Sequence, residues 1–287
     1  MSSQDHRPTR RLSLALALSL SLSVQGTNFR FGVSFHCEDK SIPFFPASAC
    51  SASCTPSADG APPLCFSVGL ENSALLHRAV ADCDPRSLDP LKEIQCQIKR
   101  VFGEALAPIE RACVSAAERL GIEYMGIDTS IAPDLRGTIH DMAACVSLEG
   151  ARPPFQAGTV AKIDAITSAL RNVPGVTVTG YAGVMLPLLE NESLVEASKR
   201  GELMVDKLLL YSGVCGVGID VVPLAGGRDA VAREAAERRL AGLIQDVAAI
   251  SRRQSKALSV RVLPCIGRGT GEATTFESPY LINGISM

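Results

Sequence analysis

Apolar residues recur along this chain with two alternating periods, one helical and one strand-like. Leu106, Ile109, Cys113, Ala116 and Leu120 step by three and four, which describes one face of a helix that stops at Gly121. A strand-like run, Ile122 to Ile127, follows directly, closes on Asp128-Thr-Ser130 and is barred from continuing by Pro133. The unit then repeats. Val160, Ile163, Ile166, Leu170 and Val173 mark a helical face from Thr159 to Asn172, Pro174-Gly175 turns the chain, and Val176 opens a strand region expected to run through Met185 to Glu190. Ser193 is the expected cap of the next helix, and that helix with its neighbour carries the chain to Tyr211. Asp229 is expected to cap a long helix reaching about Arg253, with Leu240, Leu243, Val247 and Ile250 inward, and Leu258 to Leu263 is the last clear strand. Upstream, Asn28 to Phe35 and Leu64 to Val68 read as strands and Asn72 to Asp82 as a helix, with a Ser-, Ala-, Pro- and Gly-rich loop over residues 47–63.

Helix-then-strand repetition predicts an α/β fold with a largely parallel sheet, open or closed into a barrel. Residues 1–27 are expected to form a leader or an extra strand, and residues 28–287 a single α/β domain. Arg7, Arg10 and Arg11 precede Leu12 to Val24 in the order of a signal peptide, but that run alternates Leu with Ser and Ala. The alternation favours a retained strand or disordered leader, and with it a cytoplasmic protein; cleavage would instead place the chain in the secretory pathway.

Composition narrows the partners. With 287 residues, 46% of them hydrophobic, and a net charge of −2, the chain can bury a sizeable core but offers no basic stripe or polybasic patch. It also has no Trp, so nucleic acid and membrane surfaces are excluded as expected partners, leaving a small-molecule ligand and a homo-oligomer open. Seven of the ten cysteines lie before residue 120, yet no C-x-x-C pair occurs, and His36, His77 and His140 stand in no ligand spacing. Unlinked thiols are the favoured reading, no metal set is assigned, and the residues name no cofactor. There is no G-x-S-x-G elbow and no complete G-x-G-x-x-G after a strand, which disfavours serine-hydrolase and dinucleotide-binding readings. Gly267-Arg-Gly-Thr-Gly271 lacks a following Lys-Ser/Thr and reads as a surface turn.

The most chemically loaded stretch is Tyr211 to Pro223, where a helix runs into a glycine-softened turn carrying Cys215 and Asp220. In parallel α/β sheets ligands bind beyond the carboxyl ends of the strands, and polar residues stand at those positions here. Asp128 and Ser130 close one strand, Glu190 another, and Asp220 ends the Cys215 loop. On the last strand Leu258, Val260 and Val262 share one face, which puts Ser259 and Arg261 on the other. The expected site therefore uses Cys215 as nucleophile or thiol, Asp128, Glu190 and Asp220 for proton transfer, and Arg261 with Ser130 to hold an anionic substrate. The competing reading has each acid capping a turn or pairing with a base, and Cys215 as a buried small hydrophobe.

Several stretches between Ala105 and Ser278 together resemble a known family. They are Ala117-Glu-Arg-Leu-Gly-Ile-Glu-Tyr with Asp128-Thr-Ser-Ile-Ala-Pro133, Gly183-Val-Met-Leu-Pro-Leu-Leu-Glu190, Tyr211-Ser-Gly-Val-Cys-Gly-Val-Gly-Ile-Asp220, and Ser259-Val-Arg-Val-Leu-Pro264 with Gly267. The chain resembles the uncharacterised domain-of-unknown-function family number seven hundred and eleven. That resemblance implies a fold similar to pyruvate formate-lyase and other glycyl-radical enzymes, a ten-stranded α/β barrel with peripheral helices and a loop threaded inside, with the Cys215 loop at the barrel mouth. The N-terminus is shorter than in typical bacterial members, which leaves both a complete and an incomplete barrel open, the completing strands being absent or replaced by the leader. No Arg-Val-Xaa-Gly segment stands near the C-terminus, and no radical chemistry is carried over from fold similarity. Three readings of function follow: an enzyme acting on a small polar or anionic metabolite, a non-catalytic metabolite-binding or regulatory protein, and an inactive, truncated family member.

Overall fold

The computed structural model describes residues 32–36, 42–43, 64–132, 142–147 and 154–287. The expected leader lies outside the described residues. Strands β1 (Val33–Phe35) and β2 (Cys65–Gly69) precede helices α1 (Ser73–Ala81) and α2 (Pro90–Leu120). Then come β3 (Glu123–Asp128), α3 (Met142–Val146), α4 (Thr159–Leu170) and β4 (Val178–Thr179). The remainder comprises α5 (Glu192–Lys199), α6 (Val205–Ser212), β5 (Gly218–Ala225), α7 (Ala230–Gln254) and β6 (Leu258–Cys265).

The long helices carry their own start and stop signals. Asp89 Oδ1 accepts from the Lys92 N–H at 3.1 Å, Pro90 occupies the first turn where its missing N–H costs nothing, and Gly121 ends α2 in the left-handed region at φ 63°. Asp229 does the same for α7, accepting from the Ala232 N–H at 2.8 Å. At α5 the cap is Asn191 rather than the expected Ser193: Asn191 Oδ1 accepts from the N–H groups of Ser193 and Leu194 and from the Ser193 hydroxyl. An amide oxygen one residue before the helix reaches those donors, while a hydroxyl already inside the first turn does not.

Strands β2, β3 and β4 form one parallel sheet, and β5 and β6 pair in parallel in a second, with β1 added antiparallel to β6. Two isolated parallel bridges, Ile131 to Val184 and Pro187 to Asp220, run the segment 180–187 between β3 and β5. The fold is thus mixed α/β, with seven helices and two open three-stranded sheets among the described residues. The expected ten-stranded barrel is not present among them. The expected strand from Val176 to Glu190 is likewise reduced to the two residues of β4. The backbone shows why: Gly180 (φ 70°) and Ala182 (φ 45°) take left-handed conformations that interrupt a ladder, and the chain reaches Glu190 through a 3₁₀ turn, Leu188–Glu190.

The main core lies between the sheets and their covering helices, where Ile98 and Phe102 of α2 and Ile163 and Ile166 of α4 meet Ile127, Ile219, Val222, Leu258 and Val260. Each such fully buried side chain contributes about 1.5–3 kcal/mol relative to exposure. A smaller cluster of Leu189, Val221, Leu263, Phe276 and Leu281 closes the other face near the strand ends. No described helix is long and apolar enough to cross a membrane.

Candidate functional site

Sheet register creates the first contact of the site. β5 and β6 pair so that Asp220 stands directly beside Arg261, inside β5 rather than at the end of a loop. A bulge between Asp220 and Val222 puts Val221 at φ 48°. A left-handed β-branched residue costs about 1–3 kcal/mol. Its effect here is that Ile219 and Val222 enter the main core while Val221 joins the cluster on the opposite face, beside Leu189 and Leu263. Asp220 and Arg261 share that opposite face. The bridge from Pro187 to Asp220 then brings in the 3₁₀ turn that ends at Glu190.

Arg261 is clasped by two carboxylates. Its Nε donates to Asp220 Oδ1 at 2.6 Å, and its Nη2 lies 3.0 Å from Glu190 Oε1. The Asp220 side chain is 3% exposed, Arg261 16% and Glu190 24%, so the cluster opens toward solvent at Glu190. Burial works to lower the Arg261 value, but Asp220 and Glu190 outweigh it and hold the guanidinium above its usual value. Glu190 is pushed up to about 7, first by burial and then by the like charges of Asp220 and Glu71, against the pull of Arg261.

The carboxylate at the end of β3 is held differently. Asp128 is fully buried and takes four hydrogen bonds. Its Oδ1 accepts from Ser130 Oγ (2.6 Å), Ser130 N (3.0 Å) and Ala182 N (3.1 Å), and its Oδ2 from Tyr181 N (3.1 Å). Burial raises Asp128, with these four donors pulling the other way. Gly180 is required here: at φ 70° a Cβ on it would overlap Asp128 Oδ2. Ser130 Oγ also accepts from the Gly183 N–H, and Asn72 Nδ2 donates to the Ser130 carbonyl, so Asp128 and Ser130 knot β3 to the 180–183 segment and the start of α1.

Tyr181 connects the two groups. Its N–H goes to Asp128, while its hydroxyl, on a 2% exposed ring, hydrogen-bonds Ser259 Oγ, two residues before Arg261 on the same strand face. Ser259 Oγ in turn lies 2.8 Å from Ser34 Oγ on β1. Tyr181 and Asn191 went unnamed as site residues in the sequence reading. The rule that polar groups beyond a strand end collect ligands reaches Tyr181, which directly follows Gly180, once β4 is ended at Thr179 instead of Glu190.

Cys215 sits in the main core, 1% exposed, with its Sγ accepting from the Gly218 N–H at 3.3 Å. Burial raises its thiol, opposed by the charge of Lys256. The glycines around it serve close packing: Gly216 N donates to Val184 O at 2.6 Å, and a Cβ on Gly216 would lie 2.9 Å from the Gly183 carbonyl carbon. The structure therefore brings together Glu190, Asp220 and Arg261, places Asp128 and Ser130 in the adjoining knot, and keeps Cys215 away from solvent. No group of three His, Cys, Asp or Glu among the described residues could hold a metal ion.

With this geometry described, comparison with known proteins adds a family and no reaction. The family model described as "Uncharacterised ACR (DUF711)" matches residues 18–277. Similar curated proteins include several named UPF0210 protein. That of Lactiplantibacillus plantarum is 28% identical over 74% of this chain and 45% of its own length. For Methanosarcina mazei the identity is 29% over 76% of this chain and 46% of the relative, and for Methanocorpusculum labreanum 27% over 64% and 40%. The chain spans less than half the length of these relatives.

Proposed function

This chain belongs to the uncharacterised DUF711 family, and from that premise we propose that the cluster around Arg261 binds a small anionic metabolite and that Glu190 takes up and returns a proton as the ligand enters and leaves. The observation that carries this reading is the 3.0 Å contact between Arg261 and a half-buried carboxyl whose value stands at about 7. A metabolite carboxylate or phosphate is a stronger acid than a group at about 7, so it competes well for the same guanidinium edge. Glu190, deprived of its cation beside Asp220, then takes a proton. A protonated Glu190 is an O–H donor next to the bound ligand, which is the condition for general acid or base work near neutral pH. Asp220 keeps the guanidinium oriented throughout, and the Asp128–Ser130 knot holds the shape of the segment leading to Glu190. Cys215 takes no part, because its buried thiol has a raised value.

A non-catalytic binding protein would show the same proton uptake without turnover, and the complete pairing of Arg261 by Asp220 and Glu190 suits reversible binding equally well. Calorimetric titration with a panel of dicarboxylates and phosphate monoesters, repeated in buffers of different ionisation enthalpy, tests the shared core of both. About one proton should be taken up per ligand at pH 8 and none at pH 5.5, and Glu190→Gln should bind without proton uptake. Binding that carries no proton at pH 8 would remove Glu190 from the account. Turnover of any ligand so found separates the two readings.

A further inference from the structure

A polar cavity lies among the C-terminal ends of α4, α6 and α7, with a volume of about 240 Å³. Its lining includes Asp164, Ser168, Arg171, Gly213, Ser255 and Lys256. Asp164, Ser168 and Arg171 are spaced by four and three and so share one face of α4, directed at this cavity. Arg171, Gly213 and Ser255 are the C-terminal caps of the three helices.

Two features of the charges decide what fits. Asp164 and Arg171, both exposed residues, line the same cavity and the charge of Asp164 acts on Arg171, with no ion pair of 4.0 Å or less between them. Opposite charges are thus presented across a gap. Lys256, 7% exposed, adds a second cation and donates from Nζ to the Ser212 carbonyl at the end of α6. Each helix C-terminus contributes about half a negative charge. Three such ends with Asp164 offset the two cations and leave the walls near neutral overall. A dianion such as phosphate gains little there, whereas a ligand that is itself neutral but carries separated charges matches both sides. The volume corresponds to about eight waters at ~30 Å³ each, room enough for a ligand of a few heavy atoms.

We propose that this cavity binds a small zwitterion of the amino-acid class, its carboxylate on Arg171 and Lys256 and its ammonium on Asp164 and the helix-terminal carbonyls. The site is independent of the Glu190 cluster. Glycine, β-alanine, L-serine and L-threonine, titrated against the full chain by calorimetry or heteronuclear NMR, should show saturable binding. Acetate, ethylammonium and inorganic phosphate should bind at least about tenfold more weakly, because each satisfies only one side of the gap. Arg171→Met and Asp164→Asn should each weaken amino-acid binding about tenfold or more while leaving the melting temperature unchanged, since neither side chain holds another element. Glu190→Gln should leave it unaltered. Acetate or phosphate binding as tightly as the amino acids would reduce the cavity to a simple anion site and overturn the proposal. So would the absence of saturable binding for all four amino acids, or affinities indifferent to both substitutions.

Discussion

Asp128 and Glu190 are both carboxylates placed beside the segment that bridges the two sheets, yet they are satisfied by opposite means. Asp128, with no cation bonded to it, rests on three backbone N–H groups and the Ser130 hydroxyl. Glu190 shares a single guanidinium with Asp220. Backbone donors belong to the fold and cannot be lent to a ligand without unfolding the segment. A guanidinium on a side chain can exchange one carboxylate for another, and the exposure of 24% at Glu190 gives the exchange a route. The comparison separates a carboxylate held by the backbone from one held by a side chain.

Removing the shared cation is the strongest way to break that comparison. Arg261→Ala leaves Asp220, 3% exposed, without its partner, and should lower the unfolding free energy in urea by about 3–5 kcal/mol. Arg261→Lys should keep most of the stability but lose anion binding, because Lys keeps the charge without the planar two-point grip. A loss below about 1 kcal/mol for Arg261→Ala would mean that Asp220 is solvated after all.

The next largest effect is a pH dependence. A carboxyl whose folded value is raised from 4.5 to about 7 keeps its proton in the folded state after the unfolded chain has released its own. Stability should therefore fall as pH rises from about 4.5 to about 7 and level off above, by up to about 3 kcal/mol. Glu190→Gln should remove that part of the slope, leaving the variant close to the parent at pH 4.5 and more stable than it at pH 8. Denaturant midpoints across this range measure it, and a slope unchanged by the substitution would show that another group is responsible.

Asp128→Asn should cost less, about 1–3 kcal/mol, since the amide keeps one acceptor oxygen but turns an N–H₂ toward donors. Its effect should fall on stability alone and leave anion affinity at Arg261 unaltered. Equal losses of affinity from Asp128→Asn and Arg261→Lys would erase the distinction between the two carboxylates. The smallest change concerns Cys215: in the native protein its alkylation should be far slower than that of the exposed Cys96, and should accelerate only in denaturant.

Much of the local structure was legible along the chain, because its signals act over a few residues. Asp229 caps a helix where the pattern places it, Gly121 stops α2, and the alternation along Leu258 to Val262 puts Arg261 on the face opposite the main core. The resemblance to the family also holds, while its barrel is not seen in the two open sheets. Cys215 shows the limit most clearly. Glycines on both sides of a thiol fit an accessible loop and a buried hydrophobe equally, and what decides is that Gly216 is small because Gly183 passes against it, a contact between residues far apart in sequence.

The sequence by itself determined the stop of α2 at Gly121, the span of α7, the α/β repetition, the residue types available for chemistry and the family to which they belong, all of which rest on short-range periodicity, capping and turn residues. Only the tertiary structure decided which acids meet which base. The register of β5 against β6 set Asp220 beside Arg261 on one face, the bulge after Asp220 placed Val221 on that face as well, and the bridge at Pro187 delivered Glu190. Burial and charge proximity, which raise Glu190 to about 7 and raise the Cys215 thiol, depend on distances between segments that no local pattern encodes.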